Sequence, residues 1–379
     1  MADDAGILLL EILAIVVAAK LGGEVAVRLR QPAVLGELAV GVLLGSSLLG
    51  GYLGMPDFAL ERQADALADR LSGATDPALL EEGGAFLRDR GAELARLDVL
   101  LLLAGLGAIL LLFEVGLQSN VREMAKVGAS SLLVALIGIV VSFAFGYAAS
   151  WALATMWAPW HALEATVPPS LLHVFVGATL TATSVGITAR VLADMDRLHT
   201  REARIILGAA VLDDIGGLLI LAVVVALMDA ATGGSDVSLV HILRIAAIAV
   251  GFVVAATVVG LRLVPRLFDR LVGSFRIPGV AAALAFALAL LMAYLASLAN
   301  LATIVGAFVG GLVLAQAKTA PRVAEGLKPV ASLLVGFFFV TLGMRVDLTA
   351  MKGHGPAVLA IGAVLTVVAI LTKLACGWG

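Results

Sequence analysis

Apolar stretches of about the length needed to cross a bilayer recur along the whole chain. A transmembrane helix needs about 20 mostly apolar residues, because the hydrocarbon core is about 30 Å thick. Hydrophobic residues make up 61% of the chain and charged residues 14%, against about 25% charged residues in a soluble domain. The sequence therefore predicts an all-α polytopic membrane protein. We predict eleven spans, at residues 6–28, 33–50, 97–117, 127–151, 171–192, 203–228, 239–263, 278–297, 300–316, 329–344 and 356–376.

Basic residues fall on one side of this predicted array of spans. Arg and Lys cluster in alternate connections, and the short connections between those contain almost none. The positive-inside rule then places the N-terminus outside and the C-terminus in the cytoplasm, with the protein in the cell (inner) membrane. Arg345 and Lys352 are the exceptions among the short connections.

The charge and the cysteine content argue against nucleic-acid binding and against an internal disulfide. A net charge of −3 gives no basic footprint for a nucleic acid. The single cysteine, Cys376, excludes a disulfide within the chain. Membrane lipid is the expected partner of the outer surface.

One connection differs from the others because it is long and highly charged. Residues 56–96, between spans two and three, contain five arginines and nine carboxylates. Leu60, Leu67 and Leu71 recur there at helical spacing. This pattern predicts an amphipathic insertion on the extracytoplasmic surface, and a role in gating is the alternative.

Two pairs of segments suggest an internal repeat. LGELAVGVLLG (35–45) resembles VGAFVGGLVLA (305–315), and LFEVGLQSNV (112–121) resembles FVTLGMRVDL (339–348). Both pairs are seven spans apart, and an odd offset gives opposite orientations in the membrane. This is the arrangement of secondary transporters with inverted repeats and a substrate site near the midplane. The matched residues are Gly36 and Gly306, Gly41 and Gly311, Gly116 and Gly343, and Asn120 and Asp347.

The repeat divides the chain into three predicted parts. Residues 1–228 form the first inverted repeat, residues 229–277 a connecting span, and residues 278–379 an incomplete second repeat. The counterparts of spans five and six would be spans twelve and thirteen, which lie beyond Gly379. We interpret this as a truncated chain with about 11 of 13 spans. Completion of the second repeat by another molecule is one alternative, and a wrong assignment of the repeat is the other.

Two adjacent acids lie near the centre of span six, in IILGAAVLDDIGGLLILAVVVAL (205–227). A carboxylate at mid-membrane costs about 2.5–3.5 kcal/mol, and ionisable residues there are usually functional. Asp213 and Asp214 lie about 100° apart on a helix, so we expect them to have different partners and roles. A proton and a bare cation would compete for the same carboxylate oxygens. A buried acid pair that only accepts hydrogen bonds is the alternative.

Span five and span eleven add groups that suit such a site. The centre of span five reads TATS (181–184), with hydroxyl groups on Thr181, Thr183 and Ser184 and a methyl group on Ala182. This concentration of hydroxyls predicts a broken helix whose freed oxygens contact a cation. Hydroxyls that bond their own helix are the alternative. Lys373 lies deep in span eleven and is predicted to pair with Asp213, unless it extends to the cytoplasmic surface.

Three other acids lie in or near spans, namely Glu11, Glu37 and Glu114. Each lacks a second carboxylate beside it in the sequence. We predict structural hydrogen-bonding roles for them.

Four segments together resemble the cation:proton antiporter-2 family, which contains the Kef-type sodium/proton and potassium/proton antiporters. They read TATSVGITARVL (181–192), DRLHTREARIILGAAVLDDIGG (196–217), LLFEVGLQSN (111–120) and VGAFVGGLVLA (305–315). The resemblance implies an inverted-repeat sodium/proton antiporter fold of thirteen helices, in which a core domain moves against a dimerisation domain. It also implies a homodimer that exchanges sodium or potassium for protons and needs no cofactor.

The resemblance implies a role for each residue of the predicted site. Asp214 would bind the cation and the proton in turn, Asp213 would pair with Lys373, and Thr181 and Thr183 would line the broken helix. Glutathione-gated potassium-efflux members carry Gln-Asp in place of Asp-Asp and add a nucleotide-binding domain. Neither feature is in this sequence, which argues against ligand-gated efflux.

Three alternatives belong to other functional classes. A cation channel and a sodium-coupled organic-anion symporter also use polar groups at mid-membrane, although the symporter needs a larger cavity. An intramembrane aspartyl protease uses acids on separate helices with a GxGD motif, whereas these acids are consecutive and no GxGD occurs. The sequence therefore predicts a transporter and not an enzyme.

Overall fold

The computed structural model describes residues 2–45, 55–72, 77–119, 121–156, 169–231, 239–346, 348 and 355–378, and these residues form helices and turns with no β-strand among them. A helix forms all its backbone hydrogen bonds within itself, which explains why a chain that crosses the bilayer is helical. The described helices are α1 (Ala2–Arg28), α2 (Ala33–Leu44), α3 (Ala59–Leu71), α4 (Pro77–Leu117), α5 (Val121–Met156), α6 (Pro169–Thr181), α7 (Val185–Asp194), α8 (Arg201–Ala231), α9 (Leu239–Ser274), α10 (Val280–Leu298), α11 (Thr303–Leu314), α12 (Ala320–Met344) and α13 (Gly355–Ala375), followed by a 3₁₀ turn at Cys376–Trp378.

The described helices confirm the all-α membrane fold. Within the described residues, eight stretches are long and apolar enough to cross a membrane, and α2 and α11 are shorter apolar helices of 12 residues each. Span five is broken where the sequence predicted a break, since α6 ends at Thr181 and α7 begins at Val185. The number of eleven spans stays a prediction.

The insertion between spans two and three consists of one separate helix and the first part of a longer one. Only α3 is a separate amphipathic helix. The second helix of the insertion continues without interruption into span three as α4, which is 41 residues long. Gly83, Gly84 and Gly91 lie within it and do not end it.

The chain divides into two compact units. The first contains Met1–Leu111 and Lys328–Lys352, and the second contains Leu112–Leu327 and Gly353–Gly379. Each unit therefore combines two separate segments of the chain. The sequence repeat divides the chain differently, since it follows chain order, and its boundaries stay a prediction.

The core of the first unit joins α1, α4, α12 and the segment before α3. Ile15, Leu100 and Phe337 are among its fully buried residues. Phe58 packs into the same cluster, which fixes the start of α3 against the unit. Arg345, which the positive-inside rule left as an exception, forms an ion pair of 2.9 Å with Glu61 on α3.

Glycines of the predicted repeat lie at close helix contacts in both units. In the first unit, a Cβ atom on Gly41 of α2 would collide with the backbone carbonyl of Val340 on α12. In the second unit, a Cβ atom on Gly311 of α11 would collide with the carbonyl of Phe113 on α4. Gly343 and Gly116 lie on the opposite sides of these two contacts. The matched glycines therefore allow equivalent close approaches of helix backbones.

Some sequence predictions fall on positions outside the described residues. These are the match of Asn120 with Asp347, the exceptional charge of Lys352, and the end of the chain at Gly379.

Candidate functional site

The break in span five consists of Ala182, Thr183 and Ser184. The Ser184 hydroxyl accepts a hydrogen bond from the backbone N–H of Ile187 at 3.2 Å, so it caps the N-terminus of α7. The Thr181 hydroxyl donates to the carbonyl of Ala178 at 2.7 Å and closes the end of α6. The C-terminal end of one half-helix thus meets the N-terminal end of the other, where their partial charges are opposite.

The acid pair lies in the middle of α8 and packs in the same unit as the break. Asp213 is 6% exposed, and Asp214 is partly buried. Oδ1 of Asp213 and Oδ2 of Asp214 are buried and accept no hydrogen bond from the described part of the chain. A buried carboxylate oxygen without a donor is unfavourable, so these two atoms suit a bound cation or proton.

Lys373 connects the acid pair with the break. Its Nζ lies 3.7 Å from Oδ2 of Asp213. The same ammonium donates a hydrogen bond of 3.0 Å to the backbone carbonyl of Thr181 and another to the hydroxyl of Thr183. The structure therefore brings Asp213, Thr181, Thr183 and Lys373 together, and the side chain of Lys373 is partly buried.

Two cavities meet at Asp213. The first, of about 200 Å³, extends along α8 to Ile206 and is also lined by Thr183 and Lys373. The second, of about 390 Å³, extends to Val224, and its lining includes Thr181 and Asp214. Ile206 and Val224 lie on opposite sides of Asp213 along α8, at about 10 Å and about 16 Å by helical rise. Asp213 is therefore reached from both directions, and Asp214 from the second cavity.

The sequence analysis did not identify two hydrogen bonds that support the site. On α5, the Ser142 hydroxyl donates to the Thr372 hydroxyl at 3.2 Å, next to Lys373 on α13. Oγ of Ser150 lies 2.8 Å from Nδ1 of His173, which fixes α6 against α5. A histidine inside an apolar span was a signal that could have pointed to this second contact.

The other intramembrane acids lie on helices other than α8, at Glu11 on α1, Glu37 on α2 and Glu114 on α4. Glu11 is 3% exposed and forms an ion pair of 3.4 Å with Arg96 on α4. Its carboxylate oxygens accept no hydrogen bond from the described residues, so the predicted hydrogen-bonding role becomes an ion pair. Glu37 is buried in the first unit, and Glu114 is partly buried on α4.

Comparisons with known proteins agree on one family. The profile described as "Sodium/hydrogen exchanger, transmembrane" matches residues 12–379. The chain is 37% identical over 373 residues to the high-affinity Na⁺/H⁺ antiporter NhaS3 of Synechocystis sp., covering 98% of this chain and 76% of that protein. It is 29% identical to the Na⁺/H⁺-K⁺ antiporter GerN of Bacillus cereus, covering 97% of this chain and 79% of that one.

A solved structure shares the fold. The sodium proton antiporter MjNhaP1 of Methanocaldococcus jannaschii superposes with a TM-score of 0.59 at 15% identity, covering 99% of this chain and 79% of that chain. The named relatives are transporters, which is the class that the sequence predicted. Because the family profile covers residues 12–379, the chain belongs to the transmembrane sodium/hydrogen exchanger family.

Proposed function

We propose that this protein is a secondary transporter that exchanges a monovalent cation for protons at the break in span five. One observation carries the proposal. The buried acids of α8 lie beside the break between α6 and α7, and Asp213 lines both cavities. An acid pair that is reached from two directions can take up one ligand on one side and release it on the other.

Asp214 is the residue that binds the cation and the proton in turn. It lines the larger cavity, and its buried Oδ2 accepts no hydrogen bond from the described residues. A protonated Asp214 is neutral, whereas an ionised one needs a positive ligand in this apolar environment. Only one of the two ligands can be bound at a time, and this competition couples their movements.

The positive charge of Lys373 compensates the negative charge of Asp213. The Lys373 ammonium contacts Oδ2 of Asp213 as well as the Thr181 carbonyl and the Thr183 hydroxyl. These three oxygens are of the kind that bind a monovalent cation. Thr181 and Thr183 therefore line the ion site, and an incoming cation must compete with Lys373 for its oxygen ligands.

The two cavities supply the routes to opposite sides. The first cavity extends toward the N-terminal end of α8, which the positive-inside rule places at the cytoplasmic side. The second extends toward the outer side. Alternating access requires that only one of these routes be open to bulk water at any moment.

The finer assignments follow from the sequence motifs. The protein is a member of the cation:proton antiporter-2 group of Kef type and uses sodium or potassium. It acts as a homodimer in the cell (inner) membrane, with its N-terminus outside and its C-terminus in the cytoplasm. It needs no cofactor besides the exchanged ions. The names of NhaS3 and GerN support sodium, and the name of GerN also supports potassium.

Replacement of the proposed ion ligand tests the function. In proteoliposomes with an imposed pH gradient, added sodium or potassium should collapse the gradient through the wild-type protein. Asp214→Asn keeps the shape of the side chain but removes its charge, so this variant should show no cation-dependent collapse. Glu202→Gln, on an exposed acid of the same helix, is the matched control and should keep wild-type activity. Undiminished exchange by Asp214→Asn would contradict the mechanism.

A further inference from the structure

The C-terminal part of α9, from residue 262 to residue 274, has three distinct faces. The inward face contains Pro265 and Phe268, both of which are buried. The second face carries exposed arginines at four-residue spacing, and the third carries exposed leucines at the same spacing. We call Arg262, Arg266 and Arg270 the basic row. We call Leu263, Leu267 and Leu271 the apolar row, and these are 60%, 51% and 40% exposed.

The length of α9 places both rows at the edge of the bilayer. The helix has 36 residues, which is about 54 Å at the usual rise per residue. The hydrocarbon core is about 30 Å thick, so α9 extends well beyond it. The predicted span ends at residue 263, and the positive-inside rule puts this end at the cytoplasmic side. The rows therefore lie where lipid headgroups meet acyl chains.

The one carboxylate in this part of α9 is turned toward the protein. Asp269 accepts hydrogen bonds from the backbone N–H groups of Lys318 at 3.0 Å and Thr319 at 3.1 Å. It also accepts one from the Thr319 hydroxyl at 2.8 Å. Asp269 thus binds the connection between α11 and α12, and both of its carboxylate oxygens are engaged there.

A polar cavity continues the basic surface beyond the end of α9. Its volume is about 530 Å³, and Arg276 and Arg322 line it together with Phe275 and Ile277. Glu325 is the one carboxylate in its lining. The combination of two guanidinium groups with exposed apolar side chains repeats the pattern of the two rows.

We propose that this face of α9 binds anionic phospholipids of the cytoplasmic leaflet. The basic row contacts the headgroup phosphates, since guanidinium groups match phosphate oxygens in geometry and charge. The apolar row lies among the upper acyl chains, which removes its exposed leucines from water. A soluble anion would satisfy the arginines but would leave the leucines uncovered, and therefore the surface fits a lipid. The proposal goes beyond ion exchange and does not depend on which cation is exchanged.

A lipid titration of the full chain in neutral detergent tests the proposal. Short-chain phosphatidylglycerol should raise the unfolding temperature at lower concentrations than phosphatidylcholine does. The variant R262Q/R266Q/R270Q should lose on the order of 100-fold in apparent affinity for phosphatidylglycerol, or about fivefold per arginine. The single variant R266Q should lose about fivefold and covers the case in which the triple variant does not fold.

Matched variants separate the basic row from total charge. R197Q/R201Q/K328Q removes three exposed positive charges elsewhere and should keep the wild-type preference for phosphatidylglycerol. R262K/R266K/R270K keeps the charge of the row and should lose less affinity than the glutamine variant. Exchange by the glutamine variant in neutral lipid should equal that of the wild type, so failure of the ion-exchange mechanism would be seen separately.

Three outcomes would overturn the proposal. The first is equal stabilisation of the wild type by phosphatidylglycerol and phosphatidylcholine. The second is an equal loss of affinity in the matched control variant, which would indicate a diffuse charge effect. The third is the same stabilisation by inorganic phosphate, which would indicate a free anion and not a lipid.

Discussion

The Lys373 ammonium contacts acceptors from two separate elements, Asp213 on α8 and the residues around the break in span five. It therefore has two functions at once. It compensates the negative charge of Asp213, which is 6% exposed. It also donates a hydrogen bond to the backbone carbonyl of Thr181, which the broken helix leaves without its usual donor. Loss of the ammonium leaves both groups without this partner.

The pairing of Asp213 with Lys373 predicts a measurable coupling energy. Lys373→Ala leaves Asp213 as a buried charge without this partner, which typically costs about 3–5 kcal/mol unless the carboxylate takes up a proton. Asp213→Asn removes that charge, so the double variant should recover part of the lost stability. Thermal unfolding of the two single variants and the double variant gives the coupling energy. Additive effects of the two changes would exclude the pair.

Ionisable and hydroxyl groups of the site could be predicted from the sequence because they are rare in apolar spans. Asp213, Asp214, Thr181 and Thr183 were identified in this way. The bond from Lys373 to the carbonyl of Thr181 could not be predicted. Backbone acceptors have no sequence signature, and their availability depends on where the helix breaks.

The helices themselves meet at glycine contacts that leave no room for a side chain. Gly41 on α2 and Gly311 on α11 each face a backbone carbonyl of a neighbouring helix. A carbonyl in a helix cannot move away without weakening the hydrogen bond that it accepts within its own helix. These contacts therefore fix the distance between helix axes in each unit.

Substitution at these glycines tests the close contacts. Gly41→Ala and Gly311→Ala should each lower the unfolding temperature, since overpacking typically costs about 1–3 kcal/mol. Gly105→Ala on α4 is the control, because a Cβ atom there would meet nothing within 4 Å. Thermal unfolding in detergent measures all three. Equal stability of Gly41→Ala and Gly105→Ala would show that the approach at Gly41 is not tight.

At this scale the sequence predicted the break in span five but not the continuity of α4. The hydroxyls of Thr181, Thr183 and Ser184 marked the break correctly. Gly83, Gly84 and Gly91 would suggest an interruption in α4, yet the helix passes through all three. A glycine in a helix costs only about 1 kcal/mol relative to alanine, which the rest of a long helix can offset.

Hydropathy predicts the membrane-spanning helices of this molecule, but it does not predict how those helices pack against each other. Apolar length alone was sufficient for the all-α membrane class, because the bilayer admits few structures besides helices. The first compact unit joins segments more than 200 residues apart in the chain, and the second joins the segments on either side of residues 328–352. Such long-range pairing depends on which helices meet, and a single sequence contains no direct signal for it.

Cation and proton compete for one carboxylate, Asp214, in the pair of acids that the two cavities reach. Isothermal titration of the purified protein with sodium or potassium, repeated in buffers of different ionisation enthalpy, tests it most directly. If Asp214 exchanges a proton for the cation, the measured heat must change with the buffer, because each cation bound releases a proton from this side chain. Asp214→Asn should bind no cation and release no proton, and Glu202→Gln should behave as the wild type does. Cation binding with a heat that is independent of the buffer, or equal binding by Asp214→Asn, would contradict the account.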